Sequence, residues 1–359
     1  MPVANQPGQW QGQGSVTHPV KTKKASPSQA VEIPDLLSHI KPGWQVLIRR
    51  QELVVLVLLL VVGTILSLQT DTFLTSNNLL NVARSFSWIA IAAFGESMVI
   101  IIGGIDLSVG AVMALAGLIT AMGLQSRVAV PWAILAGLVT GGLVGWVNGA
   151  LVGRIRFPPF IVTLGTMSIA RGITFGLTGG WPVRSLSQGF RTLGQGDLVL
   201  GPWLLPIPLI FMLVTAVLVA FLLENTVLGR YIFTLGNSER ALLFAGINLT
   251  GIKVLVYTLC GLLTALGGVL MTARLGVAAP TAAIGYELDI IAAAVIGGTS
   301  LFGGEGSIWG VLLGAAFMQV LRNGLVLLGF PAYWQSTAIG AMILIALLMD
   351  FWRRQRALP

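Results

Sequence analysis

Five ionisable residues stand in or beside apolar stretches of this chain: Glu96, Asp106, Arg171, Glu305 and Arg322. A charged side chain facing lipid is costly, so each must face protein, water or an opposite charge. The chemistry open to such a set is a proton or ion relay. Only Glu96 and Arg171 lie well inside their stretches, which is thin for a relay. Other chemistry is excluded residue by residue. A phosphate-cradling loop needs Gly-x-x-x-x-Gly-Lys-Ser/Thr, with the lysine reaching the β- and γ-phosphates. No lysine stands between Lys41 and Lys253, and Lys253 follows Gly251-Ile252 and precedes Val254. The two histidines, His18 and His39, both precede the first apolar run, and Cys260 is the one cysteine. That leaves no intrachain disulfide, no cysteine metal cluster and no multi-histidine metal site. There is no Gly-x-Ser-x-Gly elbow and no His-Glu-x-x-His. An enzyme built on this chain would have to run on carboxylates alone. No catalytic residue, metal ligand or cofactor is expected on it.

The elements that must hold these residues follow from composition. Over 359 residues, 55% are hydrophobic and 9% charged, against roughly 25% charged in a soluble domain. Mean hydropathy is +0.87. A soluble protein so poor in charge could not cover its surface with polar groups. The 45 glycines suit helices packed closely in lipid, where small residues let backbones approach. The expected fold is an all-α polytopic membrane protein. A spanning helix needs about 20 mostly apolar residues. Ten runs qualify, at about 52–69, 84–103, 107–124, 131–152, 159–178, 203–223, 253–273, 286–300, 307–328 and 335–351. The second and eighth are the weakest, because one carries Glu96 and the other opens with Glu287 and Asp289.

Charge orients the set. The net charge is +8, and the basic residues sit at the ends of the runs. With ten spans, fourteen of the 21 Lys and Arg residues share the side of the N-terminus. Arg84, Arg127, Arg184, Arg191 and Arg274 lie opposite, and Arg171 and Arg322 lie within spans. Basic loops stay in the cytoplasm, so both termini are expected there. Topology thus explains the positive charge without nucleic acid. Residues 1–50 read as a cytoplasmic tail rather than a cleaved signal, with an interfacial helix expected over 31–50. The spanning domain covers 51–352, and 353–359 form a second cytoplasmic tail.

Several polar residues inside the runs have both a structural and a functional reading. Asp106, in Gly104-Ile105-Asp106-Leu107-Ser108, follows a Gly pair where a helix breaks, so it reads as an acid at a new helix N-terminus or as a gate. Glu96 reads as a hydrogen-bonded support or as part of a path. Asn148 reads as an interhelical bond former. Thr163, Thr166 and Ser168 either bond back to their own helix or touch a solute. Trp132, Trp181, Trp203, Trp309 and Trp334 fall near run ends, as belt aromatics do, and Trp181 and Trp203, which flank the largest outer loop, read alternatively as contacts for a solute or a partner. Ile102-Gly103-Gly104 echoes Ile296-Gly297-Gly298 six runs later, a pattern found where transporters are built from repeats.

The longest polar connection on the tail side is 224–252. Asn237 or Ser238 can cap a helix there, Glu239 follows in its first turn, and Gly246 can end it. Apolar positions including Leu242 and Phe244 then form knobs suited to a partner's groove, with Glu239 and Arg240 as orienting charges. An ordinary amphipathic linker is the alternative.

Here the chain resembles the permeases of bacterial ATP-binding-cassette importers for ribose, xylose and arabinose. The resemblance lies in Gly229-Arg230 through Gly246-Ile247, and in Phe73-Leu74-Thr75-Ser76-Asn77-Asn78-Leu79-Leu80-Asn81. It continues through Gly103-Gly104-Ile105-Asp106-Leu107-Ser108-Val109-Gly110 and Pro159-Phe160-Ile161-Val162-Thr163-Leu164-Gly165-Thr166. Ile284-Gly285-Tyr286-Glu287-Leu288, Gly297-Gly298-Thr299-Ser300-Leu301 and Asn323-Gly324 complete it. These stretches stand in family order from about residue 50 to 351. The chain departs from many relatives at 236–244, where they are acidic and alanine-rich.

The resemblance implies a type II-importer-like bundle in the bacterial inner membrane, paired as a homodimer. It implies a separate cytoplasmic ATPase that holds ATP and Mg, and an extracytoplasmic sugar-binding protein. Under it, Gly236, Glu239, Arg240, Leu242, Phe244 and Gly246 become ATPase-coupling candidates. Glu96, Asp106, Ser108, Asn148, Thr163, Thr166 and Asn323 become candidates for the path or its gate. The competing function is an ion-driven secondary carrier for a small polar solute, with Glu96 and Arg171 as coupling residues.

Overall fold

The computed structural model describes residues 51–355; the expected tail and interfacial helix over 1–50 lie outside them. Each of the ten apolar runs forms a helix. They are α1 (Gln51–Gln69), α2 (Ser76–Ile101), α3 (Val109–Gln125), α4 (Val130–Ala150), α5 (Pro159–Thr178), α7 (Ile207–Asn225), α10 (Leu249–Leu275), α11 (Tyr286–Ile296), α12 (Ile308–Leu327) and α13 (Ala332–Gln355). Three short helices lie between them: α6 (Gln188–Gln195), α8 (Val227–Asn237) and α9 (Glu239–Phe244). Among the described residues, seven helices are long and apolar enough to cross a membrane, namely α1, α2, α4 with its extension to Ile155, α5, α7, α10 and α12. Helix α3 is a shorter apolar helix, α11 has only 11 residues and α13 is not among the seven, so length and apolarity do not by themselves give the expected ten crossings.

The boundaries have local causes. Helix α2 begins eight residues before the expected start at 84, because Thr75 accepts the Asn78 N–H at 3.4 Å and caps it. The sixth run is corrected at its start. Trp203–Pro206 is a strand (β2) paired antiparallel with Asp197–Leu200 (β1), Leu200 opposite Trp203. Gly201, at φ +60°, and Pro202 make the two-residue turn between them. Helix α7 starts only after Pro206, whose ring fixes φ at a value suited to helix entry. This hairpin and an isolated antiparallel bridge between Val183 and Ala278 are the departures from an all-helical fold among the described residues.

The Gly-Gly echo holds in geometry, one residue out of register. At the end of α2, Gly103 has φ +80° and the Gly104 N–H reaches back to the Val99 carbonyl at 2.9 Å. At the end of α11, Gly298 has φ +101° and the Thr299 N–H reaches back to Ala294 at 3.0 Å. Both are glycine-terminated helix ends in which the left-handed residue lets trailing amides satisfy free carbonyls.

Helices α2 and α10 form the core, while α1 and α5 lie at the periphery. A stripe of Gly137, Gly141, Gly145 and Gly149, spaced by four, lets α4 approach its neighbours closely: Gly137 meets α3 and the other three meet α10. A Cβ at Gly149 would come within 2.6 Å of the Val254 Cα, and one at Gly145 would strike the Tyr257 carbonyl. In lipid, backbone proximity of this kind supplies the packing that the hydrophobic effect cannot.

Candidate functional site

The break between α2 and α3 carries the first part of the site. Seven residues, Ile102 to Ser108, separate the helices, and their polar groups need partners because the segment is buried. Glu96, fully buried one turn before the break, accepts the Asp106 N–H on Oε1 at 3.0 Å. Asp106 Oδ1 accepts the Ser108 N–H at 2.8 Å and the Ser108 hydroxyl at 2.5 Å. Asp106 is therefore tied to the residue before α3, and Ser108, at the N-cap position, makes no side-chain cap bond.

Three further helices close on this break. Asn148 of α4, fully buried, donates from Nδ2 to the Ser108 Oγ at 3.1 Å and to Asp106 Oδ2 at 3.4 Å. Its Oδ1 accepts the Thr166 hydroxyl of α5 at 2.6 Å. Thr163, one turn earlier, donates to the Ile105 carbonyl at 3.1 Å and to its own helix at Pro159, 3.0 Å. Cys260 of α10 lies with Sγ 3.9 Å from Glu96 Oε2 and from Thr264 Oγ1. The structure thus brings together Glu96, Asp106, Ser108, Asn148, Thr163 and Thr166 in one girdle spanning three helices and the break. Cys260 was legible only as a lone thiol, and its place beside Glu96 had no sequence signal. No Lys or Arg pairs with either carboxyl among the described residues.

Asn323 is not part of this girdle. It exchanges reciprocal side-chain hydrogen bonds with Asn78, at 2.9 and 3.0 Å, and ties α12 to the start of α2. Two of the five ionisable residues are also accounted for. Arg322 pairs with Asp289 at 2.6 Å and lies 5.1 Å from the Tyr286 ring centroid. Arg171 donates from Nη1 to the Pro280 and Ala282 carbonyls at 2.9 and 2.8 Å.

The second part of the site is the α8–α9 pair. Thr226 caps α8 by accepting the Gly229 N–H at 3.1 Å, and Ser238 caps α9 by accepting the Ala241 N–H at 3.3 Å. Gly246, at φ +72°, stops the chain after α9, and Asn248 caps α10. Two expectations need correction. Leu242 is buried at 4% exposure and anchors α9 to its own chain, because it faces the bundle. The exposed knobs are Phe244, at 91%, and Leu243, at 53%. Gly236 lies inside α8, not on the expected docking helix. A Cβ there would strike the Ile101 carbonyl and the Gly304 amide. Glu239 pairs with Lys253 at 3.0 Å, while Arg240 is exposed.

A third segment joins the two parts. The Gly304 N–H donates to the Ile101 carbonyl at 2.9 Å, and its carbonyl accepts from Asn237 Nδ2 at 3.2 Å. Gly303 and Gly304 have φ of +81° and +78°, which glycine alone adopts freely. The loop after α11 is thus wedged between the end of α8 and the end of α2. The Gly303-Gly304 pair was the only hint of it in the sequence.

The chain matches a protein family described as branched-chain amino acid transport system / permease component over residues 78–347. It is 43% identical to the ribose import permease protein of Escherichia coli (strain K12) over 299 residues, 82% of this chain and 92% of that protein. It is 42% identical to the ribose import permease protein of Bacillus subtilis (strain 168) over 294 residues, 81% of this chain and 90% of that one. The D-allose transport system permease protein of Escherichia coli (strain K12) is 37% identical over 296 residues, 82% and 89% of the two chains. No solved structure matches.

Proposed function

We propose that this chain, which belongs to the permease-component family matched above, is the membrane-spanning subunit of an ATP-binding-cassette importer for a monosaccharide of the ribose class. The observation that carries the reading is the 43% identity that covers 92% of a ribose import permease. The α8–α9 end then faces the cytoplasm, together with both termini, and ten helices cross the inner membrane. A separate ATPase holds ATP and Mg and receives Phe244 and Leu243 in a groove. A second permease copy and an extracytoplasmic sugar-binding protein complete the assembly.

The mechanism follows from the wedge at Gly304. Closure of the ATPase moves α8, and Gly236 and Asn237 bear directly on Gly304 and Ile101. Ile101 is the last residue of α2, five residues beyond Glu96 and five before Asp106. Motion of α8 therefore reaches the break through the close backbone approach of Gly236 to Ile101 and Gly304. The girdle of Asp106, Ser108, Asn148 and Thr166 acts as the cytoplasmic seal, because its groups satisfy one another and leave no polar lining for a solute. Transport requires that these bonds exchange for bonds to sugar hydroxyls.

The test is reconstitution. The permease with its neighbouring ATPase and binding protein should take up D-ribose or a related sugar only with ATP. Uptake driven by a proton or sodium gradient without nucleotide would overturn the reading in favour of a secondary carrier.

A further inference from the structure

A cavity of about 400 Å³ opens beside the middle of α5, lined by Ser168, Arg171, Phe175 and Glu287 among others. Its size lies within the range of about 300–1,000 Å³ typical of small-molecule sites. Arg171 is the thirteenth residue of the 20 in α5, and a guanidinium there cannot face hydrocarbon cheaply. The mouth must therefore meet water or protein. Arg171 uses only Nη1 inside the chain, for the Pro280 and Ala282 carbonyls, and Nη2 and Nε make no hydrogen bond among the described residues. Glu287 accepts the Gly285 N–H on Oε1 at 3.2 Å, whereas Oε2, packed against Gly110, accepts none. The Ser168 hydroxyl donates to Leu164 and keeps its lone pairs. Phe175 offers a partly exposed ring, 38% accessible.

We propose that this cavity is a solute-binding site of the permease, and that Arg171, Ser168 and Glu287 bind the hydroxyls of an uncharged monosaccharide there against the Phe175 ring. The wall holds unspent donors on Arg171 and lone pairs on Ser168, with the Glu287 carboxyl beside them. A polyol matches that mixture, since each hydroxyl both donates and accepts. The cavity's lining on α5 begins at Met167, one turn beyond Thr163, and runs to Phe175. The proposal rests on the sugar-import reading and adds its binding site.

A branched-chain amino acid is the competing occupant, because its carboxylate would pair with Arg171 and its ammonium with Glu287. The experiment places a thiol at the wall. Ser168→Cys is made in the assembled complex with binding protein and ATPase, with Cys260 kept, since it is fully buried. Labelling by a membrane-impermeant thiol reagent is timed with D-ribose, D-allose, L-arabinose or L-leucine. A sugar that occupies the site about nine-tenths of the time should slow labelling about tenfold. L-Leucine should not slow it. No labelling, no protection by any sugar, or protection by leucine alone overturns the proposal. A second variant, Arg171→Lys, keeps the charge but loses the planar fork. It should weaken sugar protection while complex assembly, read by size exclusion, stays unchanged; undiminished protection removes Arg171 from the site. If the unmodified complex takes up none of the sugars, the import reading fails. If it takes up sugar while Ser168→Cys goes unprotected, only this site fails.

Discussion

The backbone N–H of Asp106 donates to the Glu96 carboxyl at 3.0 Å, so a side chain on α2 holds the amide of the loop that leaves it. The break between α2 and α3 is thereby fixed from within and not by solvent. In a segment with little water, one such bond replaces a group that would otherwise be left unsatisfied.

That bond predicts a split between two substitutions. Glu96→Gln keeps a carbonyl oxygen for the Asp106 amide and should leave thermal stability in detergent nearly unchanged. Glu96→Ala orphans a buried N–H, at a cost of about 1–3 kcal/mol, and should lower the melting temperature clearly. Equal melting temperatures for the two variants would show that the bond holds nothing.

Asn148 joins α4 to both the break and α5, through Ser108, Asp106 and Thr166. Asn148→Leu leaves those partners without it and should cost about 1–3 kcal/mol, with loss of sugar uptake. Thr166→Val removes one bond only and should be milder on both readouts. Wild-type uptake by Asn148→Leu would exclude the girdle from the transport cycle.

The docking surface can be separated from the core within one short helix. Phe244, 91% exposed, contributes little to the fold of this chain. Phe244→Ala should leave stability unchanged and weaken co-purification of the ATPase, since loss of an aromatic anchor at an interface costs about 2 kcal/mol or more. Arg240→Ala should cost the association only about 0–1 kcal/mol, as exposed charges do. Leu242→Ala should instead destabilise the permease itself by about 2–5 kcal/mol, because Leu242 is core. Unchanged ATPase recovery with Phe244→Ala would reduce α9 to a linker.

Gly236 tests the wedge. Gly236→Ala places a methyl against the Ile101 carbonyl and the Gly304 amide. Overpacking of this kind costs about 1–3 kcal/mol and shifts the α8–α2 contact. The expected phenotype is an assembled complex that hydrolyses ATP but takes up little sugar. If uptake per ATP matches the unmodified complex, force does not pass through Gly304.

Orientation is open to thiol labelling, because the native cysteine is buried. Arg240→Cys should react only from the cytoplasm, and Thr192→Cys, on the exposed side of α6, only from outside. Reaction of both from the same face would require one fewer or one more crossing between them.

The positions of the helices were legible because length and apolarity are local properties of a chain. All ten runs became helices, and the glycines at 103 and 298 announced where two of them end. Caps were legible for the same reason: Ser238 needs only its own next turn to bond Ala241. What the sequence alone could not determine is which side of each helix meets which neighbour. The spanning helices carry no polar face to orient them, and on the six-residue α9 Leu242 and Phe244 looked equivalent until packing buried one and exposed the other. For the same reason Asn323 went to Asn78 and not to the girdle, and Asn148 met Asp106 across 42 residues of chain. Those pairings are set by the backbone distances that glycines permit between helices, at Gly145 against Tyr257 and at Gly236 against Ile101. Only the tertiary structure decides such distances, because they depend on two surfaces fitting at once and not on either surface alone.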